Sequence, residues 1–214
     1  MMIIDKIETG MLAVNTYIAH LEGRNDCVVI DPGNSHKVEK LLAEKGLSCT
    51  HILLTHGHFD HTMGVADLKE NQNVLVYIHK EGVRALENGE DTLAILGGAF
   101  VKPCKVDKAL SDGDEFTAAG IDFKVLHTPG HTKDGVCYIV ESEKVIFSGD
   151  TLFRLSVGRT DFAGGDKDAL YDSLNNKLFR IQGDYRVLPG HNRETRLEFE
   201  RENNPFMKNF GENF

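Results

Sequence analysis

The segment His56-Gly57-His58-Phe59-Asp60-His61 restricts this chain more than any other stretch, because it sets three imidazoles and a carboxylate within six positions. Imidazole nitrogen and carboxylate oxygen suit zinc, iron and manganese. His56 and His58 are two residues apart in a loop leaving the apolar run His51 to Leu54, so both can reach one ion. Asp60 and His61 can turn towards a second. The competing reading is a solvated polar loop. With 10 histidines in 214 residues, an H-x-H-x-D-H string arises by chance in about one chain in a thousand of this composition, so the ligand reading is preferred.

Three later residues occupy related settings. His131 in Thr128-Pro129-Gly130-His131-Thr132, Asp150 in Ser148-Gly149-Asp150-Thr151 and His191 in Leu188-Pro189-Gly190-His191 each follow a strand-like run and sit in a turn. Alone, a Pro-Gly turn followed by His is only a turn. Together they put single ligands at the ends of separate strands, where a metal site can gather them. Strands are expected at 13–20, 27–31, 51–54, 74–78, 121–126, 136–140, 144–148 and 185–188. Helices are expected at 35–45, around 62–70, at 167–179 and over the charged tail 193–202, which Pro205 ends. Residues 80–100 read as partly helical, with glycines blurring the boundaries. Strands and helices mix through both halves, which gives an α/β or α+β class. No Pro/Gly/Ser linker breaks the chain, so residues 1–214 are expected to form one domain.

Composition removes several function classes. The net charge of −9 argues against a nucleic-acid partner, since a phosphate backbone needs a basic face. The start, MMIIDKIETGM, has too short an apolar run for a secretory signal. No stretch approaches the roughly 20 apolar residues of a membrane span. A cytoplasmic protein without a membrane partner is expected, and its oligomeric state is left open. Cys27, Cys49, Cys104 and Cys137 form no CxxC pair; Cys27 and Cys137 lie in strand-like runs and are expected in the core.

The order H-x-H-x-D-H, then His, then Gly-Asp, then a final His resembles the metallo-β-lactamase superfamily. The resemblance runs from Asn15-Thr16-Tyr17 through Asp31-Pro32-Gly33 to Pro189-Gly190-His191. It implies a four-layer αβ/βα sandwich with two divalent metal ions at the edge of its sheets. One ion takes His56, His58 and His131, the other takes Asp60, His61 and His191, and Asp150 bridges them. Zinc is the expected metal, with iron or manganese as alternatives. Gly149-Asp150-Thr151-Leu152-Phe153, the loop Val157 to Phe162, Gly164-Gly165-Asp166 and the ending Asn204-Pro205-Phe206 are similar to short bacterial glyoxalase II-like hydrolases. An Asp at position 150 separates the chain from true β-lactamases, which commonly place Cys there.

The resemblance implies hydrolysis of a small-molecule thioester such as a hydroxyacylglutathione. Asp60 and Asp150 are then the catalytic carboxylates, with Asp60 orienting the attacking hydroxide. Arg159 is the candidate substrate contact, against the alternative of an arginine bracing its loop through Asp161; Arg154 is a weaker candidate. The long enzymes carry a C-terminal helical region with glutathione contacts that has no counterpart past Pro205, so an open cleft is expected. Lys133-Asp134 and Asn192 replace small residues of the family. His20, His36, His51, His79 and His127 are expected to be structural, and the charged tail to be a solvated helix face. One rival keeps the fold: persulfide dioxygenases share the Gly-Arg-Thr-Asp-Phe loop and use a single iron, here on His56, His131 and Asp150. Another is a non-catalytic metal-binding domain.

Overall fold

The computed structural model of the chain describes residues 1–10 and 12–208. Its first half contains β1 (Met2–Thr9), β2 (Val14–Leu21), β3 (Asp26–Ile30), α1 (Ser35–Lys45), β4 (Ser48–Leu53), α2 (Phe59–Thr62), α3 (Val65–Gln72), β5 (Leu75–His79), α4 (Val83–Asn88) and β6 (Lys108–Leu110). The second half contains β7 (Glu115–Ala118), β8 (Ile121–His127), β9 (Val136–Val140), β10 (Val145–Gly149), β11 (Leu152–Phe153), β12 (Ser156–Val157), α5 (Lys167–Asp172), β13 (Arg186–Pro189), β14 (Thr195–Arg196), α6 (Leu197–Asn203) and α7 (Pro205–Lys208).

Strands β1 to β6 form one sheet in chain order, and a second runs β14-β13-β10-β9-β8-β7. Each mixes antiparallel hairpins with parallel pairs: β3, β4, β5 and β6 are mutually parallel, as are β10 and β13.

Period-two alternation divides the apolar side chains between the faces. In β2 and β3, Tyr17, Ala19, Val28 and Ile30 join the core between the sheets, where they meet Phe123, Tyr138 and Phe147 of the second sheet. Their neighbours Ile18, Cys27 and Val29 point the other way, onto Val38 and Leu42 of α1 and Leu68 of α3. In the second sheet Cys137, Ile139 and Ile146 face Leu170 of α5, Leu174 and Leu197 of α6. Strands buried on both faces read as continuous apolar runs, and the layers are helix, sheet, sheet, helix. The four-layer αβ/βα sandwich is therefore present. All four cysteines are buried and unpaired.

The expected elements recur with small shifts. Helix α1 keeps its expected bounds because both ends are capped: the Asn34 side chain accepts from Lys37 N, and Gly46 takes the left-handed conformation. Six strands, β1, β6, β7, β11, β12 and β14, were not expected from the sequence. β1 is an edge strand whose charged residues break the apolar alternation. The tail is corrected. Thr195 and Arg196 pair with β13 as a strand, so the helix starts only at Leu197, and Pro205 opens α7 after the break at Asn204. Nor is the tail wholly solvated. Glu200 is fully buried and accepts hydrogen bonds from Thr195 Oγ1, Leu155 N and Asn204 Nδ2. Phe206 packs against the cluster around α5 and α6, whereas Phe210 and Phe214 lie outside the described residues. No helix among the described residues is long and apolar enough to cross a membrane.

Candidate metal centre

Four chain segments meet at one edge of the sandwich. The segment after β4 carries His56 to His61 into α2, and the β8–β9 turn carries His131. Asp150 and His191 follow β10 and β13, whose parallel pairing puts their C-terminal ends side by side. Hydrogen bonds tie the two sheets together here. Val136 N donates to Thr55 O at 2.9 Å, Tyr138 OH to Leu54 O at 2.8 Å and Tyr17 OH to Pro189 O at 2.8 Å. The Asn15 side chain donates to Pro189 O at 2.9 Å and Asn192 O at 2.7 Å, bracketing His191. The Asn15-Thr16-Tyr17 motif thus positions the last candidate ligand from the opposite sheet.

The structure brings all seven candidate ligands together. His56 Nε2 and His131 Nε2 each lie 3.0 Å from His58 Nδ1. Asp60 Oδ2 is 3.6 Å from His61 Nε2 and 3.3 Å from His191 Nε2. Asp150 stands between the groups: its Oδ1 is 3.6 Å from His61 Nε2, and its Oδ2 is 3.5 Å from both His131 Nε2 and His191 Nε2. Donor atoms of His56, His58 and His131, of His56, His61 and Asp150, and of Asp60, His61 and His191 each gather within 4.8 Å.

The outer hydrogen bonds fix which ring nitrogens are bare. His131 Nδ1 sits 2.7 Å from Arg159 O, an acceptor only, so Nδ1 carries the proton and Nε2 offers a lone pair. Buried Asp31 accepts from Thr55 N at 2.8 Å, Thr55 Oγ1 at 2.6 Å and His61 Nδ1 at 2.9 Å. Because Thr55 spends its hydroxyl proton on Asp31, His56 Nδ1 donates to Thr55 Oγ1 at 3.1 Å, which leaves His56 Nε2 bare. One carboxylate therefore sets the tautomer of a histidine in each group, the outer-sphere arrangement that orients metal-ligating imidazoles. Asp31 was legible only as a turn residue beside Pro32-Gly33. A buried apolar strand, Cys27 to Ile30, ending in an isolated Asp is the signal that could have pointed to it.

These residues fit a metal. His61 Nε2 and Asp150 Oδ1 are buried without a hydrogen-bond partner, which is costly unless a cation completes them. The His56–His58 and His58–His131 spacings of 3.0 Å compare with about 3.4 Å between two nitrogens in a tetrahedral zinc site. Burial comes first among the forces on the rings. It keeps His56 below the ordinary range, and with His131 and His61 it holds His58 down to about 3. Burial also opposes charge on His61, yet Asp60, Asp150 and Asp31 override it and push His61 up to about 10. Asp60 is held as a carboxylate against burial by His61 and His191.

A pH dependence follows for the metal-free protein. The folded state holds the His61 proton more tightly than an unfolded chain titrating near 6.5, so this stabilisation is complete below pH 6.5 and lost as pH rises to about 10. His58 has the opposite sign: its contribution is present above 6.5 and lost as pH falls towards 3. Thermal scans in chelator are expected to show Tm falling on both sides of pH 6.5. Saturating metal is expected to remove the alkaline fall, because coordination displaces the His61 proton.

Gly190 is required by close approach. A Cβ there would lie 2.3 Å from Asp150 Oδ1 and 2.7 Å from His61 Cε1. Gly190→Ala is expected to fold but to lose at least about tenfold in metal affinity, read by chelator competition.

The remaining candidates are placed as follows. Arg159 lines the cavity beside the centre. Its guanidinium donates to both oxygens of Asp161 at 2.7 Å and covers the Phe162 ring at 3.7 Å. Arg154 covers Phe199 at 4.4 Å. His127 stacks on His79 at 3.9 Å and contacts Lys133 O at 2.9 Å, bracing the turn that carries His131. Asp134 is buried beneath the His56–His58 loop. Its carboxyl fits because two neighbours are glycine: a Cβ at Gly82 or Gly57 would come within 2.3 Å or 3.3 Å of Oδ2.

Among curated relatives, "Probable metallo-hydrolase YqgX" of Bacillus subtilis is 32% identical, covering 96% of this chain and 97% of the relative. Hydroxyacylglutathione hydrolase GloC of Haemophilus influenzae is also 32% identical, covering 87% and 89%. The solved structure of BLEG-1 B3 metallo-beta-lactamase superposes with a TM-score of 0.91 at 32% identity, covering 97% of this chain and all of that one. TTHA1623 in a di-iron-bound form gives 0.84 at 37%, covering 94% and 99%. ETHE1 from Myxococcus xanthus gives 0.79 at 28%, covering 98% and 91%. The family model for the metallo-beta-lactamase superfamily matches residues 9–191, from the end of β1 to the last candidate ligand. With the match spanning every segment that builds the centre, the chain belongs to the metallo-beta-lactamase superfamily.

Proposed function

We propose that the protein is a metal-dependent hydrolase of thioesters. The observation that carries this reading is the second donor group, Asp60, His61 and His191, standing beside the first with Asp150 between them. Two adjacent cation positions are the usual equipment for hydrolysis. The likeness to GloC supports a thioester as the substrate class. Two divalent cations, held by His56, His58 and His131 and by Asp60, His61 and His191 with Asp150 between them, would supply the Lewis acidity that ionises water near neutral pH and polarises an acyl oxygen.

The chain's own groups do the rest. Asp60, kept ionised by His61 and His191, accepts a hydrogen bond from the attacking water and aims it. The water oxygen adds to the acyl carbon, the carbon–sulfur bond breaks, and sulfur leaves with the electron pair. A thioester and water thus give a carboxylate, a thiol and one proton. Arg159 O and Asp31 hold the Nδ1 atoms of His131 and His61, which orients both rings.

The persulfide dioxygenase reading has its own support in the likeness to ETHE1, and its ligand subset His56, His131 and Asp150 lies within the same cluster. Metal analysis with a substrate panel separates the readings. Two metal ions per chain and turnover of S-lactoylglutathione or acyl thioesters are expected. One iron per chain, with oxygen uptake on glutathione persulfide, would establish the dioxygenase instead. A β-lactam belongs in the panel because of BLEG-1, and turnover of it alone would overturn the thioester reading.

A further inference from the structure

The cavity over the metal centre has a volume of about 600 Å³, a size that takes a drug-sized ligand. Its floor is polar, made by His58, Asp60, His131, Asp150 and His191. Its walls are not. Leu12, Phe59, Leu93, Leu96, Phe153 and Phe162 line them.

The apolar wall is built into the fold. Phe59 N, one residue before Asp60, donates to Thr92 O at 2.8 Å, which ties the 92–97 loop to the ligand segment. Gly97 lies flat on the Phe59 ring, where a Cβ would meet ring atoms at 2.5 Å. Phe59 also clusters with Ala94, Val101 and Leu93. The loop is thus held against the metal segment while Leu96 and Leu12 stay 73% and 55% exposed at the cavity edge. Large apolar side chains left in water beside a cavity mark a surface that a ligand covers.

Charge argues in the same direction. Apart from the centre's own histidines, Arg159 is the one cationic side chain among the described residues lining the cavity. It is already paired through both oxygens of Asp161 and stacked on Phe162. The carboxylates of a glutathione carrier would find no unpaired cation here, whereas a hydrocarbon chain would find seven apolar side chains, the six named above and Val157.

We infer that this cavity selects thioesters with an apolar acyl chain, which lies along Leu12, Phe59, Leu93, Leu96, Phe153 and Phe162 while the thioester carbon sits over the metal centre. The inference rests on the thioesterase reading for its reaction, but the apolar subsite can be tested without turnover.

Acetyl, butanoyl, hexanoyl and octanoyl thioesters of N-acetylcysteamine, an uncharged carrier, are assayed with metal-loaded protein beside S-lactoylglutathione. The matching non-hydrolysable S-alkyl thioethers are titrated calorimetrically. Each methylene is expected to raise kcat/KM, and to tighten thioether binding, by about two- to fourfold. Octanoyl is expected to exceed S-lactoylglutathione. Leu96→Ser and Phe162→Ser are expected to flatten both slopes. Ile95→Ser, a solvent-facing neighbour that does not line the cavity, is expected to leave them unchanged. Thioester turnover with no dependence on chain length, or a preference for S-lactoylglutathione, overturns the apolar subsite and leaves the thioesterase reading standing. A binding slope in the thioethers with no turnover of any thioester overturns the thioesterase reading and leaves the subsite standing. Neither slope nor turnover overturns both.

Discussion

Replacing Asp150 by alanine is expected to lower kcat/KM for thioester hydrolysis by about a thousandfold, equivalent to roughly 4 kcal/mol of transition-state stabilisation, and to reduce bound metal below two ions per chain. Among the described residues, Asp150 is the one side chain whose oxygens approach ring nitrogens of both donor groups, His131 on one side and His61 and His191 on the other. Without it the centre loses a ligand and the negative charge between its two cation positions. Asp150→Asn separates these contributions, because the amide keeps the shape and loses the charge. It is expected to retain more metal than the alanine variant while falling almost as far in activity. Elemental analysis beside single-turnover kinetics reads both quantities. Full activity in Asp150→Ala would place the chemistry elsewhere in the molecule.

The seven candidate ligands were legible because they are chemically conspicuous and local in context. Each is a His or Asp in the segment just beyond an apolar run, and the fold brings those segments to one edge. The strands were legible because those buried on both faces leave unbroken apolar runs, as at Cys27 to Ile30 and Val136 to Val140, whereas their stacking into a sandwich followed only from the family resemblance. What escaped depends on distant partners. β1 is paired on one side only, with exposed charges, and it has no local signature stronger than that of a loop. Glu200 looks like one more charge on a surface helix. Its burial depends on Leu155 and Thr195, one 45 and the other 5 residues away. Arg159 illustrates the same limit. Its guanidinium pairs within its own loop, and what reaches the centre is its backbone carbonyl, through His131 Nδ1, a role that side-chain identity does not encode.

Asp31→Asn tests the least legible of these residues, and its expected effect is second only to that of Asp150. The wild-type carboxylate accepts three hydrogen bonds, from Thr55 N, Thr55 Oγ1 and His61 Nδ1. An amide can still accept from Thr55 N through its oxygen, but its NH2 then faces two donors where Oδ2 had been. His61 relieves that conflict by moving its proton to Nε2, and a protonated Nε2 cannot ligate. Thr55 turns its hydroxyl away from the amide, so the Thr55–His56 contact at 3.1 Å no longer fixes the His56 tautomer either. Both donor groups are affected by one substitution, a coupling that the sequence spacing of 24 to 30 residues hides. Metal affinity is expected to fall by about 10- to 100-fold, the usual cost of losing an outer-sphere partner. Stability of the metal-free protein is expected to fall by about 1–3 kcal/mol, because buried donors lose their acceptor. Thermal scans with and without zinc measure the two effects separately, since ligand-linked stabilisation scales with affinity. If Asp31→Asn loses stability but keeps wild-type metal affinity, Asp31 serves only the fold, and the tautomers of His56 and His61 are set by the metal itself.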